Sequence, residues 1–269
     1  MALNLPEIDP TVPSIARVYD AFLGGKDHYE VDRQVYQQVM QIAPDSVRTG
    51  RECRAWLIRV ARFLAAGAHV DQFLDLGSGL PTAENTHQAV QRINPEAQVV
   101  YVDNDPMVAA HGRALLEEND RTHFAVGDLR KPEELLQDPT VGKYLDFSRP
   151  IGLIQSNTLH HVADEFDPAG TMTQYIDALA PGSYVAISHL HMPTEGPLQQ
   201  KAEELQATFM AMMGTCKFRT RDEITSFFPG LEMVEPGLTY LFDWWPDGPR
   251  VTPPADGDYL LLGGVGRKD

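Results

Sequence analysis

Apolar residues recur at helical spacing twice near the start of the chain, and then the pattern changes to short, nearly continuous apolar runs. In SIARVYDAFL, residues 14–23, the side chains of Ile15, Val18, Phe22 and Leu23 fall on one stripe, and Ser14 after Pro13 has the chemistry of an N-cap. GRECRAWLIRVARFLAA, residues 50–66, repeats the spacing with Trp56, Leu57, Val60, Phe63 and Leu64, and Gly67 closes it. Beyond it, QFLDLG (72–77), QVVYVD (98–103), HFAVGD (123–128), IGLIQS (151–156) and SYVAISHL (183–190) read as strands. TAENTHQAVQRI (82–93), PMVAAHGRALLEE (106–118) and MTQYIDAL (172–179) read as helices between them. Strands alternating with helices predict an α/β fold, a parallel sheet wound on both faces, whose ligand lies at the carboxyl ends of the strands where their order reverses. A long helix over 195–213 follows. EMVEPGLTYLFDWW (232–245) and DYLLLGGVGRK (258–268) then read as two strands joined by a Pro/Gly/Asp-rich loop, an antiparallel extension of the sheet.

Composition narrows the function. The 269 residues are 43% hydrophobic, enough for one large domain with a sizeable core. A formal net charge of −16 repels a phosphate backbone, so nucleic acid is not an expected partner. No basic start followed by an apolar run opens the chain and no stretch has the length of a membrane span, so a cytoplasmic protein is expected. Cys53 and Cys216 are too few for a disulfide framework and read as reduced.

The strongest local signal is FLDLGSGLPT, residues 73–82. A strand ending in Asp75 turns through Gly77, Ser78 and Gly79 into a helix, where a ligand approaches the backbone closely. Thr82 stands where a dinucleotide fingerprint has its third glycine. Asp103 ends the next strand, 28 positions after Asp75, where a carboxylate accepts both hydroxyls of a ribose. Asp128 ends the third strand, placed to accept from an adenine amino group while Leu129 packs on the ring. Such an acidic edge repels a pyrophosphate and attracts a sulfonium and an ammonium, which favours S-adenosylmethionine over NAD. Asp75 has a second reading, as an acceptor for the amides of its own loop, and Asn104 and Asp105 have another as caps of the helix that begins at Pro106, preferred for Asp105.

These residues resemble the motifs of the Rossmann-like S-adenosylmethionine-dependent methyltransferases: DLGSG, YVDND, GDLR, SNTLHHV (156–162) and LAPGSYVAIS (179–188). PSIARVYDAFLGGKDHYEVDR (13–33), YVDNDPMVAAHGRALL (101–116) and RTRDEITSFFPGLEMVEPGL (219–238) are similar to one bacterial family of S-adenosyl methyltransferases, long carried as a domain of unknown function. The resemblance implies a class I methyltransferase fold with a mostly parallel seven-stranded sheet, helices on both faces and an N-terminal helical lid. It implies S-adenosylmethionine as cofactor, bound by Asp75, Gly77, Ser78, Gly79, Asp103, Asn104, Asp128, Leu129 and Asn157. It supplies no acceptor. Residues 1–50 are expected to form the cap and 51–269 the cofactor-binding domain, with 191–217 on the substrate side.

In this scheme the helix that stops at Gly24 and Gly25 is a lid with a hinge. Lys26 or Arg17 pairs with the methionyl carboxylate of the cofactor and Tyr19 donates a hydrogen bond to it. Methyl transfer needs alignment, exclusion of water and, for a hydroxyl acceptor, a base. His160 and His189 are the candidates, with His161 and His191 beside them at the ends of the fourth and fifth strands. No carboxylate or cysteine pattern completes a metal site around these histidines. Met192, Met210, Met212, Met213, Tyr240, Phe242, Trp244 and Trp245 suggest a pocket for a small hydrophobic or aromatic acceptor, methylated at oxygen or nitrogen. Two other readings remain open on the residues alone: a nicotinamide-dependent oxidoreductase, and a module that binds the cofactor or its demethylated product without catalysis.

Overall fold

Five parallel strands end along one edge, and the rest of the chain is arranged around that edge in the computed structural model, which describes residues 8–81, 84–112, 114 and 119–269. The strands are β1 (Gln72–Leu76), β2 (Gln98–Asp103), β3 (Thr122–Val126), β4 (Gly152–Ser156) and β5 (Tyr184–Leu190). They are followed by β6 (Glu232–Met233), β7 (Thr239–Tyr240) and β8 (Leu261–Arg267). The order is β3-β2-β1-β4-β5-β8-β6, with β7 also paired to β8, and β8 runs antiparallel to β5. Chain order reverses between β1 and β4, which pair at Asp75 and Ile154. That is the crevice position the sequence predicts.

The sheet has eight strands rather than the expected seven. The run 232–245 is not one strand: Pro236, which has no N–H to give a ladder, and Gly237 separate two two-residue strands that share β8 as partner. A 3₁₀ turn at Leu241–Asp243 then ends the segment, and another at Asp256–Leu260 delays the last strand to Leu261.

Alternation along the strands sends Phe73 and Tyr101 to one face and Leu74, Leu76, Val100 and Val102 to the other. Each face is covered by helices, as near-continuous apolar strands require. The helices are α1 (Ile15–Leu23), α2 (Glu30–Ile42), α3 (Ser46–Arg62), α4 (Thr86–Gln91), α5 (Pro106–His111), α6 (Pro132–Leu136), α7 (Pro139–Tyr144), α8 (Pro168–Ala178), α9 (Gly196–Met213) and α10 (Arg221–Thr225). The first residues of the helix predicted over 82–93, and residues 113 and 115–118 of the one predicted over 106–118, lie outside the described residues. No helix among the described residues is long and apolar enough to cross a membrane.

Helices α1 and α2 lie over α3 and α9, sharing a third apolar cluster that includes Val18, Phe22, Val35, Val39 and Leu205. Their geometry is set by Asp32, which is fully buried. Its carboxylate accepts from Ser14 N at 3.0 Å, Tyr29 N at 2.7 Å and Arg17 Nε at 2.8 Å. Gly24 ends α1 in the left-handed region at φ 79°, the C-cap alternative to a hinge. Gly25 is small for another reason: a Cβ there would lie 1.8 Å from Asp20 Oδ1. The Asp20 carboxylate accepts from Asp27 N at 2.9 Å and pairs with His28 Nδ1 at 3.0 Å. The Gly-Gly joint is thus a folded turn built around a carboxylate.

Removing Asp32 leaves the buried Arg17 guanidinium without its counter-charge. Asp32→Ala is expected to destabilise the protein by about 3–5 kcal/mol, measured as a lower urea midpoint with accelerated proteolysis before residue 43. A change within about 0.5 kcal/mol, the scatter of ordinary surface substitutions, would refute this role for Asp32.

Candidate functional site

The turn after β1 is drawn across the end of β2. Gly77 N and Ser78 N donate to the Val102 carbonyl at 2.7 and 3.1 Å, and Gly79 N donates to Asp103 Oδ2 at 2.9 Å. Gly79 has φ 66°, and a Cβ there would meet nothing within 4 Å, so the loop presents bare backbone to open space. The other oxygen of Asp103 accepts from Asp105 N at 2.9 Å. Asp105 in turn caps α5, accepting from Met107 N at 2.8 Å and Val108 N at 3.3 Å, and its second oxygen takes the Ser14 hydroxyl. The loop amides are therefore tied by the Val102 carbonyl and, at Gly79, by Asp103, while Asp75 Oδ2 accepts from Thr86 Oγ1 at 2.7 Å.

This loop forms one wall of a cavity of about 730 Å³ that opens along the strand ends. At the crevice it is lined by acids and bare backbone; inward, between α1, α2, α3 and α9, it is lined by Phe22, Val39, Leu57, Leu205, Phe209 and Met213. One face of α3, made by Ser46, Thr49, Gly50, Cys53, Arg54 and Leu57, runs the length of the cavity at i, i+3, i+4 spacing.

Burial raises the pKa of both crevice acids, Asp75 to about 6 and Asp103 to about 6, against opposing hydrogen bonds from Thr86 and from loop amides. Burial also pushes Asp128 upward, but its bonds from Arg130 outweigh that and hold it below the usual carboxylate range.

The structure brings Tyr19, Asp75, Gly77, Ser78, Gly79, Asp103, Asn104, Asp128, Leu129, Asn157 and His160 together on the cavity wall. Three predicted residues are elsewhere. Arg17 is turned in toward α2 and the segment before α1, where Asp32 and the carbonyl oxygens of Asp9 and Val12 take its guanidinium. Lys26 is exposed and outside the lining. His189 is fully buried behind the wall, its Nδ1 donating to the Leu190 carbonyl at 2.7 Å and its Nε2 accepting from Arg219 Nη1 at 3.1 Å. Burial first, and then Arg219 among its neighbours, lowers the pKa of His189 to about 3; it has no free nitrogen for a substrate.

The cation missing from the sequence reading is Arg54. It lines the cavity from α3, with Nη2 donating to the Glu84 carbonyl at 2.6 Å. The signal was present as a second stripe on α3, small and polar, beside the apolar stripe of Trp56, Val60 and Leu64. Tyr19 donates to the Gly50 carbonyl at 3.2 Å. Asn157 adopts φ 59° and is held to Ser188, its N donating to the hydroxyl at 3.0 Å and its Oδ1 accepting from it at 3.1 Å.

His160 and His161 both line the cavity, with ring centroids 4.4 Å apart, and Nδ1 of each is buried without a hydrogen-bond partner among the described residues. Burial lowers both, His161 to about 4 and His160 well below the ordinary imidazole value. The predicted aromatic pocket is corrected. Trp244 packs edge-on against Trp56 in the core, Tyr240 and Phe242 stack with each other beside Tyr259, and none of them lines the cavity. Of the four methionines only Met213 reaches it, and Phe22, Phe209 and Phe218 are among the aromatic side chains that line it instead.

The donor set suits the cofactor expected from the sequence. Burial raises Asp75 and Asp103 even though the Arg54 charge opposes the rise at Asp75, so a sulfonium and an ammonium would favour their ionised forms; Ser78 Oγ is buried with no partner among the described residues, and Gly79 leaves open space.

A family model described as S-adenosyl methyltransferase matches residues 2–269. Among solved structures, a candidate methyltransferase from Thermobifida fusca YX is 41% identical, with a TM-score of 0.92 over 100% of this chain and 99% of that one. A DUF574 family protein from Streptomyces avermitilis MA-4680 is 34% identical, with a TM-score of 0.92 over 98% and 100%. The N-methyltransferase NodS from Bradyrhizobium japonicum WM9, in complex with S-adenosyl-L-homocysteine, shares 16% identity at a TM-score of 0.50 over 87% and 98%, which is a likeness of fold alone. No curated protein matches the chain.

The raised acids carry a pH signature. Between the ordinary value of 3.8 and about 6 the folded protein holds more protons than the unfolded one, so Asp75 and Asp103 make stability fall as pH rises through that window. A cationic ligand favours their ionised forms. The dissociation constant for S-adenosylmethionine is therefore expected to rise on going from pH 7.5 to pH 5, by on the order of tenfold for each carboxylate that must ionise. Calorimetric titration at both pH values checks this; equal affinities would remove the two acids from the binding site.

Proposed function

The chain belongs to the S-adenosyl methyltransferase family, and on that premise we propose that it methylates a small hydrophobic or aromatic molecule at oxygen or nitrogen. The observation that carries this reading is the continuity of the cavity: the acidic crevice at the strand ends passes without a break into an apolar chamber. A polar end for a charged cofactor beside an apolar end for a second molecule is the arrangement that a group transfer between them needs.

When bound, S-adenosylmethionine supplies an electrophilic methyl group. In our reading Asp103 accepts from its ribose hydroxyls, Asp128 and Leu129 meet the adenine, and the backbone of Gly77, Ser78 and Gly79 approaches the amino-acid portion with Asp75 and Asn157. Arg54 takes the carboxylate role first assigned to Arg17 or Lys26, and Tyr19 stays beside it. Helices α1 and α2 cover the chamber and exclude water, which strengthens every polar contact inside it. Neither His160 nor His161 is protonated near neutral pH, so each keeps a lone pair on its ring, and for a hydroxyl acceptor they are the groups available to take its proton. The net charge of −16 and the apolar chamber together favour a small uncharged acceptor over nucleic acid.

Two variants separate the two ends of the cavity. Asp103→Ala is expected to abolish the rise in melting temperature caused by S-adenosylmethionine, a rise of several degrees in the parent at saturating ligand. Met213→Trp narrows the chamber and is expected to leave cofactor affinity within about twofold while lowering turnover of a small-molecule acceptor at least tenfold, read as S-adenosylhomocysteine release. Cofactor binding without turnover across a panel of hydroxyl and amine acceptors would favour a binding module over this proposal.

A further inference from the structure

Arg130 and Phe166 meet across the crevice. Arg130 follows β3 and Phe166 follows β4, strands that β2 and β1 separate in the sheet, yet the guanidinium carbon lies 4.7 Å from the centroid of the phenyl ring. Both residues line the cavity next to Asp128 and Leu129.

Phe166 is 45% exposed, among the larger apolar surfaces that the chain leaves in water. It is also firmly held. Two residues before it, Asp164 accepts from Arg219 Nη2 at 2.7 Å and Lys217 Nζ at 2.5 Å. One residue after it, Asp167 takes φ 44° and caps α8, accepting from Gly170 N at 3.0 Å. An exposed ring on a backbone held at both sides, at a cavity edge, is pre-organised as a stacking surface, since less ordering remains when a flat ligand arrives.

Arg130 is held differently. Its Nε lies 2.9 Å from Asp128 Oδ1 and 3.0 Å from Oδ2, and Nη2 lies 2.6 Å from Oδ2. The pairing fills the acceptor positions on Asp128 that an amino group would use. Arg130 is then the member that yields, and Phe166 the member that stays.

We propose that Phe166 and Arg130 form a clasp over the adenine end of the cofactor cavity, with Phe166 as the stacking face for the purine. The clasp rests on the reading that places adenine at Asp128 and Leu129. Base stacking on an aromatic side chain tolerates any flat base, so the clasp supplies affinity and residence time while Asp128 supplies the choice of base.

The test is calorimetry and stopped-flow binding of S-adenosylhomocysteine and of adenosine to the parent, Phe166→Ala, Phe166→Leu and Phe166→Trp. Phe166→Ala and Phe166→Leu are expected to weaken both ligands about tenfold or more, chiefly through faster dissociation, and Phe166→Trp to recover affinity to within about threefold. Unliganded melting temperatures are expected to stay together, because the ring lies at the surface. Binding to the parent with Phe166→Ala within twofold of it would overturn the clasp and leave the cofactor assignment standing. Recovery by leucine would replace stacking with simple bulk and also overturn it. Failure of the parent to bind S-adenosylhomocysteine would instead bring down the reading of the crevice.

Discussion

The Asp103 carboxylate is the point where three parts of the molecule are joined. One oxygen holds the glycine loop after β1 and the other holds Asp105, which caps α5 and takes the hydroxyl of Ser14. Ser14 is the N-cap of α1, and its own N–H goes to Asp32. A single buried acid thus links the floor of the crevice to the helices that cover it.

Holding such a group in a buried site is unfavourable, because burial penalises its charged form. Burial raises Asp75 and Asp103 both to about 6, with the charge of Asp103 adding to the rise at Asp75 and that of Asp105 adding to the rise at Asp103. A fold selected for stability alone would carry apolar or neutral residues there. In the function proposed above, a cationic ligand returns the lost solvation of these acids, an exchange of stability for a prepared site. The same logic explains the unpartnered Ser78 hydroxyl and the bare backbone at Gly79.

The histidines illustrate how neighbours divide similar side chains between roles. His189 is engaged at both nitrogens by Leu190 and Arg219, and it braces the wall from behind. His160 and His161 stand on the cavity side of that brace. Arg219 organises the region from below, donating to the Leu159 and Val162 carbonyls and to Asp164, and so connects the brace to the segment that presents Phe166.

Much of the fold was legible in the chain itself. The order of the five parallel strands from residue 72 to 190, the glycine loop, and the acids at the ends of β1 and β2 follow from local periodicity and from residues whose chemistry is tied to one place on a strand–turn–helix unit, whereas the short helices α6 and α7 between β3 and β4 were not read from it. Ser14 and Asp105 as caps were readable for the same reason. Tertiary structure alone decided which cations face the cavity, because Arg17, Lys26 and Arg54 are equivalent as letters and differ only in what lies around them: Asp32 captures the first, solvent the second, and the crevice keeps the third. It also decided that Trp244 fills core while Phe209 lines the chamber, and that Arg130 meets Phe166 across two intervening strands. Those outcomes depend on contacts between segments far apart in sequence, and periodicity within a segment carries no information about them.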